Sequence, residues 1–181
     1  MNFKLHTQES SPEESKAQLD SSLKSFGMIP NLHAVMAEAP NVLKAYKLLH
    51  DLFQKTSFDN EELTVIWQTI NVENDCHYCV PAHTGIAKMM GIDDEITEAL
   101  RNSTTLPTQK LQVLHETTLA LVRDRGRPDP TIISSFYQVG YENRQLLEIV
   151  LGISQKIMSN YINHLSETPI DEAFKEFAWS K

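Results

Sequence analysis

Apolar residues recur every three or four positions along most of the chain, which is the spacing of an amphipathic helix. Alternating β-branched runs, which would indicate strands, are few, and the 181 residues include only six glycines. The pattern therefore predicts an all-α protein, a compact helical bundle with a single domain over residues 1–181. Two of its clearest apolar faces consist of Val42, Leu43, Tyr46, Leu49, Leu52 and Phe53, and of Leu63, Ile66, Trp67 and Ile70.

Start signals divide this pattern into separate helices. Ser11 and Pro12 predict the start of the first helix, and the polar residues 1–10 before it are expected to form a loose tail. Asp59 is expected to cap a later helix. Pro81 lacks the amide hydrogen that a helix interior uses, so either a helix starts near Tyr78 or an earlier helix is kinked at Pro81.

Two amphipathic segments resemble each other at an offset of 84 residues, at which Cys76 and Cys79 align with Asn160 and Asn163. An internal helical duplication would produce this echo, and so would a chance similarity between two helices of the same periodicity. The two explanations have equal support.

Composition and charge exclude several classes of partner. The formal charge of −8 and the pI of about 5.3 leave no basic face of the kind that binds nucleic acids or anionic membranes. The N-terminus has no apolar run of signal-peptide length, and no segment approaches the ~20 apolar residues of a membrane span. We therefore expect a cytoplasmic protein with soluble partners, which include neither nucleic acid nor membrane.

The candidate chemistry lies in one short stretch that holds both cysteines of the chain, Cys76 and Cys79, with His83 four residues later. On a helix this spacing puts the three side chains on one face, with His83 one turn beyond Cys79. The amides at a helix start and a nearby histidine can both favour the reactive thiolate over the thiol. The motif thus predicts a redox-active dithiol with His83 in proton transfer, which needs no cofactor and no metal.

Zinc binding is the alternative that the same residues allow. Cys76, Cys79 and His83 could supply three ligands, with His77 or a distant residue as the fourth. A structural zinc site usually draws a second ligand pair from a separate segment, and the sequence has no second C-x-x-C or paired-histidine motif.

The residues from Leu63 to Thr84, with Cys76-His-Tyr-Cys79 followed by Ala82-His83-Thr84, resemble the core motif of the AhpD-like alkylhydroperoxidases in the carboxymuconolactone decarboxylase superfamily. The resemblance extends to Ile29–Leu32 and to Asn160–Asp171. It implies an all-α fold that assembles as homo-trimers or homo-hexamers, and a dithiol that reduces peroxides or a partner's disulfide. The implied partners are a peroxide or disulfide substrate and a thiol or protein electron donor.

Decarboxylases of the same superfamily typically lack the cysteine pair, so its presence favours the redox branch. Lactone decarboxylation, with His83 or another histidine as the acid–base group, remains a further alternative. Within the redox branch, analogy with thioredoxin makes Cys76 the nucleophile, whereas adjacency to His83 favours Cys79. The sequence leaves this order open.

The resemblance also implies a glutamate in the proton relay, twelve residues before the first cysteine, where this chain has Thr64. Threonine cannot act as a carboxylate base, so another residue has to replace the glutamate. Glu73 is predicted to be the substitute because it lies close to Cys76 in sequence, whereas Glu62 lies on another side of its helix. Tyr78, between the cysteines, is predicted to tune a thiol or to donate to a bound peroxide.

Overall fold

The computed structural model describes residues 3–181, and every regular element in that range is helical, as the apolar periodicity predicts. A 3₁₀ helix, Glu172–Phe177, follows the last α-helix. In chain order, α1 to α9 span Glu13–Phe26, Asn31–Met36, Pro40–Phe53, Asn60–Glu73, Cys79–Met89, Asp94–Arg101, Gln109–Arg123, Pro130–Gln138 and Asn143–Ser166.

Local capping explains where the two helices around the motif begin. The Asp59 side chain accepts the amide hydrogen of Glu62, whose carboxylate accepts that of Asp59 in return, so the predicted cap of α4 is confirmed. Pro81 is the third residue of α5, where its missing amide hydrogen removes no intrahelical bond. Of the two alternatives at Pro81, the structure therefore has the helix start.

A large apolar core surrounds α4, which packs against α5, α6, α7 and α9. Its centre holds Phe53, Ile66 and Trp67, all of which are buried. Gly152 of α9 lies so close to this centre that a Cβ atom there would be 2.7 Å from a ring carbon of Phe53. The glycine therefore allows α9 to approach α3 and α4 closely.

A second, smaller apolar cluster lies where α1, α2, α3 and α5 meet, and it contains both cysteines of the chain. Leu32, Met36 and Leu43 are among the side chains that enclose them. Removal of this apolar surface from water stabilises the packing at roughly 25 cal/mol per Å². The two cysteine side chains are therefore part of the core.

The chain segments before α1 and after α9 both pack against the bundle. The backbone amide of His6 donates to the carbonyl of Ala34, and the buried His6 ring contacts Glu38 at 2.6 Å and the Ser10 carbonyl at 2.8 Å. The predicted loose tail, residues 1–10, is thus attached to α2 over its described part, residues 3–10, because His6 has polar partners there. Met1 and Asn2 lie outside the described residues.

None of the helices within residues 3–181 combines the length and the apolar character that crossing a membrane requires.

Candidate active site

Cys76 lies in the tight connection between α4 and α5. Asp75 has a left-handed backbone with φ of 53°, which turns the chain so that the amide of Cys76 donates to the carbonyl of Asn71 at 3.0 Å. The amide of Cys79, at the start of α5, donates to the Cys76 sulfur at 3.3 Å. Cys76 therefore occupies the position of a capping acceptor, and its sulfur faces the N-terminus of α5.

The amide group of Asn163 on α9 contacts both sulfurs. Its Nδ2 is 3.2 Å from Cys79 Sγ and 3.9 Å from Cys76 Sγ. The Ser159 hydroxyl lies 4.0 Å from Cys79 Sγ. The carbonyl oxygen of Asn163 is buried and has no hydrogen-bond donor within the described residues. The structure thus brings the two thiols, which are free, to one side-chain amide.

His83 lies on α5 one turn beyond Cys79, but its nearest polar contact is a lysine. Its Nε2 is 2.9 Å from Nζ of Lys156 on α9, and its ring lies 5.0 Å from that of Trp67. Among residues 3–181, His83 makes no hydrogen bond to either sulfur. His83 thus lies one turn beyond Cys79 on α5, as the spacing predicts, and forms a buried pair with Lys156.

The two thiols have opposite acidities. For Cys79, burial alone would raise the pKa, but the hydrogen bond with Cys76, the positive charge of Lys156 and the amide of Asn163 together lower it. The hydrogen bond with Cys79, burial and the charge of a Cys79 thiolate raise the pKa of Cys76 far above its ordinary value. The favoured charge state is therefore one thiolate at Cys79 and one thiol at Cys76.

His83 is neutral in this environment, because burial and then the charge of Lys156 lower its pKa well below the ordinary histidine value. His50 of α3, on the same side of α9, has its pKa lowered to about 4 for the same two reasons. Gln155 holds this region together, since its Oε1 accepts from the Trp67 indole at 2.8 Å and its Nε2 lies 3.2 Å from His50 Nδ1.

Tyr78, between the two cysteines, contacts the C-terminal segment and makes no hydrogen bond to a sulfur within residues 3–181. Its hydroxyl donates to the buried carboxylate of Asp171 and accepts the amide hydrogen of Leu32 at 3.3 Å. Asp171 also accepts the amide hydrogen of Asn31 at 2.9 Å. Tyr78 therefore connects the motif to α2 and to the segment before the 3₁₀ helix.

Replacing Tyr78 with phenylalanine is expected to lower the free energy of unfolding by about 1–3 kcal/mol, because a buried carboxylate oxygen and the Leu32 amide lose their partner. Urea unfolding of the wild type and of Tyr78→Phe measures this difference. Tyr137→Phe is the matched control, since the Tyr137 hydroxyl bonds to Asn143 at the surface. Equal losses in the two variants would contradict a structural role of the Tyr78 hydroxyl.

The acidic residues considered from the sequence lie away from the sulfurs. Glu73 forms a two-pronged ion pair with Arg123 of α7, with both N–O distances at 2.8 Å. Glu62 is held by its own helix cap, by the Tyr141 hydroxyl and by Lys110. The Thr64 hydroxyl donates to a backbone carbonyl in α4. The structure therefore does not bring the predicted substitute, Glu73, into the thiol site.

His77, the other residue between the cysteines, is exposed, and its ring nitrogen contacts the backbone carbonyl of Trp179. Within residues 3–181, no group of three histidine, cysteine or acidic side chains could hold a metal ion. At His83, one of the candidate zinc ligands, the ring nitrogen Nε2 lies 2.9 Å from Lys156 Nζ. A fixed cation at that distance opposes a divalent ion on electrostatic grounds.

Sequence reasoning missed the contribution of α9 to the site. The polar residues of this helix that face the protein interior, all buried, are Gln155, Lys156, Ser159, Asn160 and Asn163. Their spacing of three and four residues was a usable signal, since it places one polar stripe on an otherwise apolar helix. Asn160 and Asn163 are also the residues that the 84-residue offset aligns with the cysteines.

Comparison with solved structures gives close matches over nearly the whole chain. One match is an uncharacterized peroxidase-related protein from Ralstonia eutropha JMP134, whose structure is described as an alkylhydroperoxidase AhpD core. It superposes with a TM-score of 0.84 at 15% identity, and the match covers 96% of this chain and 93% of the other. The protein has the AhpD-like fold. The resemblance predicted from the motif is thereby confirmed for the fold.

Two further structures with the AhpD-like fold support this assignment. An uncharacterized peroxidase-related protein from Silicibacter sp. TM1040 has a TM-score of 0.80 at 16% identity, covering 96% of this chain and 92% of that one. The debrominase Bmp8, in complex with 2,3,4-tribromopyrrole, has a TM-score of 0.79 at 14% identity, covering 97% and 94%. The sequence matches no protein-family model and no curated protein.

Proposed function

We propose that the protein is a thiol–disulfide oxidoreductase that reduces an organic hydroperoxide or a partner's disulfide through Cys76 and Cys79. The observation that carries this proposal is the pair of neighbouring free thiols with opposite acidities, bridged by the Asn163 amide. A stable thiolate beside a protonated thiol is what a nucleophile and a resolving cysteine require. Peroxidase-related neighbours with the same fold agree with this chemistry.

In the proposed reaction the Cys79 thiolate attacks one oxygen of the hydroperoxide. The O–O bond breaks, Cys79 becomes a sulfenic acid, and the leaving alkoxide takes a proton to become an alcohol. The Cys76 thiol then attacks the Cys79 sulfur, and the sulfenic oxygen leaves as water with the Cys76 proton. The resulting Cys76–Cys79 disulfide is reduced by two electrons from a thiol donor, which restores both thiols.

Two features favour Cys79 as the attacking residue, an order that the sequence leaves open. Its thiolate is stabilised by the hydrogen bond from the Asn163 side chain at 3.2 Å. The shortest hydrogen bond to the Cys76 sulfur comes instead from the backbone amide of Cys79, at 3.3 Å. The unpaired carbonyl of Asn163 lies beside the same sulfur and can accept a hydrogen bond from a sulfenic acid or from a hydroperoxide. We assign to His83, which is neutral and contacts Lys156, the transfer of a proton to the leaving alkoxide.

A coupled assay tests the proposal. Reduced protein is supplied with a dithiol as electron donor, and the consumption of an organic hydroperoxide is compared with the reduction of a small aromatic disulfide. Turnover with either substrate supports the proposal and identifies the preferred class. Turnover only with a carboxylated lactone, or only with a brominated pyrrole of the kind bound by the debrominase, would replace it. About one zinc per chain with inert thiols would do the same.

We also propose that the protein acts as a homo-oligomer in the cytoplasm, where a thiol donor is at hand. Large apolar side chains on the outer faces of α3 and α9, namely Leu48, Leu52, Leu147, Val150, Tyr161 and Leu165, are 46–73% exposed in the single chain. Their contact with further copies would remove this apolar surface from water. Light scattering that gives a mass of 20.6 kDa at assay concentration would contradict the assembly.

A further inference from the structure

Lys156 is a buried cation with no carboxylate partner in the part of the chain that the structure describes. It is 1% exposed, and its Nζ contacts Nε2 of His83 at 2.9 Å. Lys16, Lys110 and Lys175, by contrast, have side chains that reach solvent, and their ammonium groups each pair with a glutamate. An ammonium ion taken out of water without an opposite charge costs several kcal/mol. A negative charge in the site would therefore stabilise the Lys156 ammonium.

The titratable groups coupled to the charge of Lys156, or in contact with its neighbour Gln155, come from three elements, and only the thiols can supply that charge. His83 on α5 and His50 on α3 are neutral bases that cannot become anions at physiological pH. Tyr46 of α3 stays protonated, since burial and the charges of the cysteines raise its pKa. Cys79, whose ionisation Lys156 favours, and Cys76 remain as acids.

We propose that Lys156 sets the charge state of this site, as the counter-ion of a Cys79 thiolate and as the hydrogen-bond donor that fixes His83 in one neutral tautomer. The role in turnover rests on the proposed function, but the ionisation of Cys79 and the tautomer of His83 can be measured without turnover. Lys156 is thus a positioning residue, which acts on the reacting sulfur through its charge and through His83.

The tautomer follows from the geometry at 2.9 Å. An ammonium group can only donate, so the His83 Nε2 that faces it has to accept and cannot carry a proton. The remaining ring proton is therefore on Nδ1. His83 can then pass its Nδ1 proton to a leaving oxygen while its Nε2 takes a proton from the Lys156 ammonium, so the ring stays neutral and no imidazolate forms.

An ammonium group beside the thiols and a carboxylate in the same position have opposite effects on thiol ionisation. A carboxylate beside a thiol disfavours the thiolate by like-charge repulsion, so the thiol has to be deprotonated at the moment of reaction. An ammonium favours the thiolate, so the nucleophile is formed before the substrate arrives. This explains why the site has no need of Glu73 or of a glutamate at Thr64.

The experiment measures the ultraviolet absorbance of the Cys79 thiolate against pH in a Cys76→Ser background, which requires no reagent to reach the buried sulfur. In Lys156→Met the midpoint is expected to move upward by about one pH unit or more, which corresponds to a ~10-fold smaller thiolate fraction below both midpoints. Lys156→Arg keeps the charge and is expected to retain most of the wild-type titration. Lys47→Met, which removes another partly buried lysine outside the site, is expected to leave it unchanged.

An unmoved midpoint in a folded Lys156→Met variant would overturn the proposal, and so would an equal shift in Lys47→Met. If Lys156→Met does not fold, nitrogen NMR of His83 in the unmutated protein decides, with a proton on Nδ1 expected and a proton on Nε2 contradicting the assignment. If the wild type consumes neither hydroperoxide nor disulfide but its Cys79 titration depends on Lys156, only the proposed function is contradicted. If the wild type turns over substrate but the Cys79 titration does not depend on Lys156, only the role of Lys156 is contradicted.

Discussion

Cys79→Ser is expected to abolish hydroperoxide reduction, with a loss of turnover of at least ~10³-fold, because a serine hydroxyl in this buried place stays protonated and cannot form a sulfenic acid. Loss of the Cys79 sulfur also leaves the Asn163 amide and the Lys156 charge without the anion that they stabilise. The rate of hydroperoxide consumption with excess dithiol measures the effect. Far-ultraviolet circular dichroism confirms that the variant is folded.

Cys76→Ser separates the two thiols and serves as the matched variant. The Cys79 thiolate is retained, so this variant is expected to consume one equivalent of hydroperoxide rapidly and then to stop or slow, because no second thiol resolves the sulfenic acid. A diketone reagent specific for sulfenic acids is expected to label Cys79. A burst in Cys79→Ser together with none in Cys76→Ser would reverse the order of attack, and unchanged turnover in both would remove the thiols from the reaction.

A steep loss of stability in mild acid is the second large effect that we expect, because several histidines are buried in the neutral form. Burial is the largest cause in each case. It acts with Lys47 and His50 to lower the pKa of His33 to about 3, and with Lys156 to lower the pKa of His50 to about 4. His83 has its pKa lowered well below the ordinary value, and His115 also has a lowered pKa.

The direction in which the free energy of unfolding changes with pH follows from proton uptake. Below about pH 6.5 the unfolded chain protonates these histidines while the folded protein does not, so acid favours unfolding. With His33, His50 and His83 in this window, the free energy of unfolding falls on the order of 4 kcal/mol for each pH unit between about pH 6 and pH 4. Asp171 acts in the opposite direction, because burial raises its pKa and the folded protein takes up its proton before the unfolded chain does. This single carboxyl group offsets the effect of only one of the histidines.

Urea unfolding at pH 7 and near pH 5 measures this dependence. A domain with an ordinary stability of about 5–15 kcal/mol is expected to lose much of it across that range. His33→Gln is expected to reduce the slope by roughly one third. His164→Gln, which replaces an exposed histidine on α9, is expected to leave the slope unchanged. A free energy of unfolding that stays constant from pH 7 to pH 5 would show that the buried histidines are not held neutral.

Local signals in the sequence predict those parts of the fold that depend on neighbouring residues. The Asp59 cap, the helix start before Pro81 and the all-α class follow from short-range hydrogen bonding and apolar period, and the structure has each of them. The nearness of Cys76 and Cys79 is local as well, because residues three positions apart at the start of a helix lie on the same side of it.

The other half of the site depends on tertiary packing, which the sequence does not display directly. Asn163 is 84 residues from Cys79 and Lys156 is 73 residues from His83, so no local pattern joins them. A polar stripe on a helix ordinarily faces water, and only the packing of α9 on α3 and α4 shows that this one faces inward. Glu73 was predicted from nearness in sequence, but its side chain extends toward α7, where Arg123 pairs with it.

The central claim is that Cys76 and Cys79 form one redox pair, and intact-mass analysis tests it most directly. Reduced wild-type protein receives one equivalent of an organic hydroperoxide, is then unfolded in the presence of an alkylating reagent, and is weighed and digested. We predict that both cysteines escape alkylation, that the mass falls by two hydrogens, that an equal amount of alcohol forms and that a peptide linked through Cys76 and Cys79 appears. Two fully alkylated cysteines after treatment with the hydroperoxide, and again after treatment with a small aromatic disulfide, would contradict the account.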